Sequence, residues 1–158
     1  MKPERYRRES ALRYAARWAM GRNPVYYDFT DLGGDCTNFV SQCLFAGGCR
    51  MNFTPEYGWY YRSLNNRAPA WTGVEPFYRF LTEHTGPGPH AQECSPWEAQ
   101  PGDVVQLADE SGRFYHTMLI LRQGKDPAVA AHDINAWMRP LSDYVFSFAR
   151  FLHIRDMG

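Results

Sequence analysis

The sequence predicts an α+β domain in which N-terminal helices pack on a C-terminal antiparallel β-sheet. Apolar residues recur at helical spacing through the first half of the chain, whereas the second half consists of short β-type runs. Short turns join those runs, so neighbouring strands form hairpins and not the long crossovers of a parallel sheet.

The first helix is expected from Glu4 to about Met20, with Leu12, Ala15, Ala16 and Ala19 on one face, and Gly21 with Asn23-Pro24 stops it. A second helix starts at Cys36, where Phe39, Val40, Cys43 and Leu44 continue the spacing until Gly47-Gly48 ends it. Residues 49–70 read as an irregular aromatic loop holding Tyr57, Trp59, Tyr60 and Tyr61. Thr72 and Glu75 have capping-box spacing ahead of a third helix over residues 73–84. Strands are expected at 103–108, 113–122, 128–134 and 145–154, with turns at 109–112 and 123–127.

At 158 residues, with 44% hydrophobic and 22% charged side chains, the chain can bury one core without disulfide support. Seventeen basic residues offset seventeen acidic ones, which demotes nucleic acid and anionic membranes as partners. No apolar run reaches signal-peptide or membrane-span length, so the expectation is a cytoplasmic protein as given, or a cell-wall-associated one if the chain is an excised domain. Cys36, Cys43, Cys49 and Cys94 form no C-x-x-C pair; reduced thiols are expected, with no structural zinc, other metal or organic cofactor.

Cys36 carries the first chemical signal. A thiol in the first turn of a helix meets unpaired backbone N–H groups and the positive end of the helix dipole, which favour the nucleophilic thiolate. Gly33-Gly34 lets the backbone approach closely there, and Asp35 occupies the N-cap position. A base is supplied by the strands. Pairing Ile120 with Ala128 across the 123–127 turn sets His116 opposite His132, near enough for one imidazole to orient the other. A shift of one residue brings Asp133 opposite instead.

The stretch Gly33-Gly34-Asp35-Cys36-Thr37-Asn38-Phe39-Val40-Ser41-Gln42-Cys43-Leu44, with Tyr6, Ala11, Tyr14, Ala15 and Asn23-Pro24 upstream, resembles the bacterial putative amidase domain family of papain-like cysteine hydrolases. The likeness extends to NlpC-type endopeptidases and CHAP amidases, and continues through Trp59-Tyr60-Tyr61, Trp71, Pro101-Gly102-Asp103, His116, His132-Asp133 and Pro140-Leu141-Ser142. It implies a papain-like, NlpC-like fold with Cys36 as nucleophile, His116 as base and His132 as the residue that orients it, with Asp133 and Asn135 as alternatives for the third role. It further implies an oxyanion hole formed by the Cys36 N–H and Tyr27, with Tyr26 as the alternative to Tyr27. Peptide or peptidoglycan-fragment amides are the implied substrates, and Trp59, Tyr60 and Tyr61 are expected to wall the groove. A noncatalytic peptide- or glycan-binding module and an acyl transferase using the same Cys-His pair are the rival readings.

Overall fold

A stripe of alanines decides how the first helix packs. In the computed structural model, which describes residues 5–156, α1 spans Arg8–Trp18 and buries Ala11 and Ala15, with Ala19 one turn further on. Ala16 is exposed, so the buried face lies one position away from the expected one. Residues 5–7 are not helical, and Glu4, the expected start, lies outside the described residues. Small side chains let α1 approach α2 (Cys36–Ala46) closely, and α2 is buried from Cys36 through Leu44. A helix covered on so many sides belongs inside the molecule, where a side chain at its end is held rigidly.

Short elements follow: β1 (Tyr61–Ser63), β2 (Asn66–Arg67), α3 (Pro69–Thr72) and α4 (Val74–Glu83). α4 is the expected third helix, but its N-cap is Gly73 and no side chain caps it, so Thr72 and Glu75 form no capping box; α3 is an additional turn in the stretch expected to be irregular. The remaining strands are β3 (His90–Cys94), β4 (Val104–Ala108), β5 (Phe114–Arg122), β6 (Ala128–Ala131), β7 (Ala136–Pro140) and β8 (Phe148–Arg155). They form one sheet in the order β3-β8-β4-β5-β6-β7, and all its neighbours are antiparallel.

Alternation along these strands divides the core. Val104, Leu119, Leu121, Ala130, Leu152 and Ile154 pack with the helices. Val105, Leu107, Met118, Ile120, Val129 and Phe151 form a second cluster on the other face, closed by Leu141 of a short 3-10 helix, Leu141–Asp143. The Pro101-Gly102-Asp103 turn ties α1 to this sheet. The Tyr6 hydroxyl donates to Gly102 O at 2.6 Å, and Arg8 donates to Asp103 Oδ1 at 2.8 Å and Ile154 O at 2.7 Å. Gly102 has φ +90°, and a Cβ there would meet the Arg8 side chain at 3.1 Å, so this position needs glycine.

No helix among the described residues is long and apolar enough to cross a membrane. All four cysteines are free thiols, as the sequence suggests.

Candidate active site

The second helix begins where two glycines make room for a carboxylate. Gly33 and Gly34 have φ +85° and +104°, and a Cβ on Gly34 would come within 3.1 Å of Asp133 Oδ2. Asp133, in the turn after β6, reaches over Gly34 to accept the Asp35 N–H. Its own backbone is left-handed, at φ +34°, a conformation that Asp tolerates better than most residues. From β5, His116 completes the group. One ligand atom each of Cys36, His116 and Asp133 lies within 4.8 Å of the others, and no other group of three such residues converges this closely among the described residues.

The β5 backbone bulges beside this site. Leu107 pairs with His116 but Ala108 with Phe114, leaving Tyr115 as the extra residue. A bulge at this point redirects the side chains next to it, a recurrent device at functional sites. Cys36 opens onto a cleft of about 590 Å³ between the α2 start, the α3–α4 junction and the β4–β5 hairpin; Asp133, Glu75, Arg113 and Arg150 supply its charges.

Cys36 is 5% exposed, and burial pushes its thiol up to about 11, with the Asp133 carboxylate adding to the rise. The Thr117 N–H and the Thr37 hydroxyl and N–H work the other way. A free thiolate, expected from the helix dipole alone, is therefore not the resting form. Burial also depresses His116 below the ordinary histidine value, with Asp133 opposing the shift and Arg139 reinforcing it. Burial thus favours the uncharged form of both groups.

His132 does not face His116. Its Nδ1 lies 2.5 Å from Asp35 Oδ2 and its Nε2 lies 2.9 Å from Trp18 O, so both ring nitrogens are engaged inside the core. Its ring stacks on Phe39 at 4.2 Å. The register also differs from the expected one, with Leu119 paired to Ala130 and Ile120 to Val129, and β6 ends at Ala131, so His132 and Asp133 lie in the turn beyond the ladder, where the strand alternation no longer sets which way they point. Asn135 is also elsewhere, accepting from Arg22 Nη1 at 2.8 Å. Asp35 occupies the N-cap position without capping through its side chain. Its carboxylate accepts instead from Phe29 N, Asn38 Nδ2 and the His132 ring.

The expected oxyanion tyrosines and groove wall lie away from this cleft. The Tyr27 N–H donates to the Tyr61 hydroxyl and the Tyr27 ring meets Phe29 edge-on, while Tyr26 packs on Tyr61 and Trp71. None of Tyr26, Tyr27, Trp59, Tyr60 or Tyr61 lines the space at Cys36. Trp59 is fully buried, 4.6 Å from the Trp71 ring, and its indole N–H donates to Ser41 Oγ at 3.0 Å. Replacing Trp59 by Ala is expected to cost about 3–5 kcal/mol of stability through the cavity it leaves. Thermal or urea unfolding checks this, and a variant with unchanged stability and weaker substrate binding would return Trp59 to the groove.

Beside Cys36 and Asp133, the cleft is lined by residues that carry no functional signal in the sequence: Arg113, Phe114 and Tyr115 at a hairpin, and Arg150 on β8. Arg150 lies 3.5 Å from the Tyr78 ring and 3.7 Å from the Phe114 ring, and pairs with Glu75 at 2.7 Å. Only the alternation of β8 could have hinted that Arg150 points inward.

A model of the family described as "Putative amidase domain" matches residues 5–152. The chain belongs to that family. Cys36, His116 and Asp133 all fall inside the matched span. The chain is also similar to the "Uncharacterized protein YhbB" of Bacillus subtilis (strain 168), with 34% identity over 139 residues. That alignment covers 85% of this chain and 43% of the relative, so the chain spans less than half the length of the curated relative it matches. No solved structure matches. Family membership points to a hydrolase acting on the C–N bond of amides.

Proposed function

We propose that this domain hydrolyses an amide bond by a cysteine mechanism, with Cys36 as nucleophile, His116 as proton carrier and Asp133 as the residue that orients His116. The observation that carries the reading is the convergence of the sulfur, the imidazole and the carboxylate within 4.8 Å at the mouth of a cleft. The Cys36 Sγ attacks the amide carbonyl carbon while the thiol proton passes to His116. His116 returns that proton to the leaving amine as the C–N bond breaks, leaving a thioester on Cys36. Water then adds to the thioester, gives a proton to His116, and the acid departs as the thiol is restored. Asp133 steadies the transient imidazolium. The Cys36 N–H, in a first helical turn where N–H groups have no intrahelical partner, helps hold the oxyanion.

Peptides, and peptidoglycan peptides first among them, are the proposed substrate class, on the strength of the sequence resemblance to papain-like and NlpC-type hydrolases. Incubation with defined muropeptides and with a general peptide library, read by mass spectrometry, tests the assignment; no cleaved amide in either set would overturn it. Thiolate, imidazole and carboxylate are also donor types that zinc accepts. Turnover is expected to survive a chelator. Loss of activity on chelation and recovery with zinc would instead assign the same residues to a metal centre.

The pH profile follows from the environment. His116 accepts a proton only when neutral, and its depressed value keeps it neutral below the ordinary histidine midpoint of about 6.5. The acid limb of kcat/KM, which reports the free enzyme, is therefore expected below that pH. The thiol, pushed up to about 11, sets no alkaline limb until well above neutrality. An acid limb above the ordinary histidine value would contradict this arrangement.

A further inference from the structure

A continuous line of polar groups runs from the wall of the cleft to the nucleophile sulfur. Glu75 Oε1 receives Arg150 Nη2 at 2.7 Å, and Arg150 Nε donates to Gln106 Oε1 at 2.8 Å. Gln106 Nε2 donates to Thr117 Oγ1 at 3.0 Å and to Val74 O at 3.1 Å. Thr117 Oγ1 lies 2.9 Å from Thr37 Oγ1, which lies 3.8 Å from Cys36 Sγ. Gln106, Thr117 and Thr37 are fully buried.

The direction of every hydrogen in this line is determined by its outer end. A guanidinium can only donate, so the group it meets on Gln106 is the carbonyl oxygen. The Val74 carbonyl can only accept, which fixes the Gln106 amide nitrogen from the other side. Thr117 accepts from that nitrogen, and its own hydroxyl hydrogen, buried away from water, would be orphaned unless Thr37 accepted it. The Thr37 hydrogen is then left for the sulfur.

We propose that Arg150, Gln106 and Thr117 act as positioning residues that hold the Thr37 hydroxyl as a hydrogen-bond donor to Cys36 Sγ. The inference rests on Cys36 being the nucleophile. In the resting thiol this donor occupies one side of the sulfur and leaves the S–H free to point at His116. As negative charge develops on the sulfur, the same donor strengthens, because hydrogen bonds to charged groups are the stronger kind. The other titratable groups facing Cys36 are His116 from β5 and Asp133 from the β6–β7 turn, while Glu75, Arg113 and Arg150 line the shared cleft.

The test is the rate of iodoacetamide alkylation at Cys36 across pH, followed by peptide mass spectrometry, with the half-buried thiol of Cys94 as reference in the same sample. Thr37→Val is expected to raise the pH midpoint of Cys36 alkylation by about one pH unit, and so to slow labelling near pH 8 about tenfold while the Cys94 rate stays unchanged. Thr117→Val touches neither Cys36 nor α2 covalently, and is expected to shift the midpoint the same way by a smaller amount. Thr37→Ser and Thr117→Ser, which keep the hydroxyls, should behave as the parent protein. A parental midpoint in Thr37→Val overturns the donor role, and a parental midpoint in Thr117→Val overturns the relay. Equal slowing of Cys94 overturns both by marking a general structural change. If Cys36→Ala retained turnover, the assignment of Cys36 as nucleophile would fall while these labelling results stood on their own.

Discussion

Replacing Cys36 by Ala is expected to abolish amide hydrolysis and leave the fold standing. Loss of a covalent nucleophile costs a hydrolase on the order of 10⁴–10⁶ in kcat, because no neighbouring group can take over the bond that forms. The structural cost is small by comparison. Only the sulfur is lost, from a residue at the end of α2 whose Sγ touches the Thr37 hydroxyl at 3.8 Å, and Ala is the best helix former. A loss of about 1 kcal/mol is expected, typical of a single small deletion. Cys43 supplies the control: it lies in the core cluster under the helices, and burial raises its thiol well above the ordinary value. Cys43→Ala should keep kcat. Steady-state turnover on a cleavable peptide, paired with thermal melts of both variants, checks the claim. Activity surviving in Cys36→Ala would place the nucleophile elsewhere, and a lost cooperative melt would make Cys36 a core residue.

The nucleophile helix could be read from the sequence because several local signals agree there. Two glycines, a helix-terminal Cys and an unbroken apolar spacing point to one element, and α2 starts and ends where they say. Central strands were equally legible, since both faces of β4 and β5 pack against something. The edge strands β3 and β7 were not. Much of their length is exposed, so His90–Cys94 and Ala136–Pro140 show no alternation to find. Register failed for a different reason. Closing the 123–127 turn pairs Arg122 with Ala128, and a bulge at Leu121 then slips the ladder, so that Ile120 faces Val129. The tight turn shifts the assumed Ile120–Ala128 pairing by two residues and the bulge takes one back; neither leaves a mark in an apolar pattern, and β6 ends at Ala131, so His132 and Asp133 follow the turn and not the assumed ladder. A large ring looks alike in sequence whether it walls a groove or fills a core; Trp59 fills the core, while Tyr60 and Tyr61 are half-buried.

Asp133 and His132, adjacent in sequence, are expected to fail in opposite ways. Asp133→Asn preserves an oxygen that can accept the Asp35 N–H, and Asn tolerates the left-handed backbone at φ +34°, so stability should hardly move. The negative charge that steadies the His116 imidazolium is gone, and in the comparable serine-protease substitution this costs about 10⁴ in kcat. A loss of roughly a hundredfold to ten-thousandfold is expected here. His132→Ala acts through folding. It removes the imidazole that lies 2.5 Å from Asp35 Oδ2 and leaves a fully buried carboxylate without that partner. Removing one partner of a buried hydrogen bond to a carboxylate costs about 1–3 kcal/mol, even with Arg22, Phe29 and Asn38 still facing Asp35, and that is a large share of the stability of a domain this size. Below its lowered melting temperature, the His132→Ala protein should keep kcat within about tenfold of the parent, since His132 lies outside the group formed by Cys36, His116 and Asp133. Melting curves and kcat measured side by side on the two variants separate the roles. A stable but inactive His132→Ala together with an active Asp133→Asn would restore His132 to the triad and remove Asp133 from it.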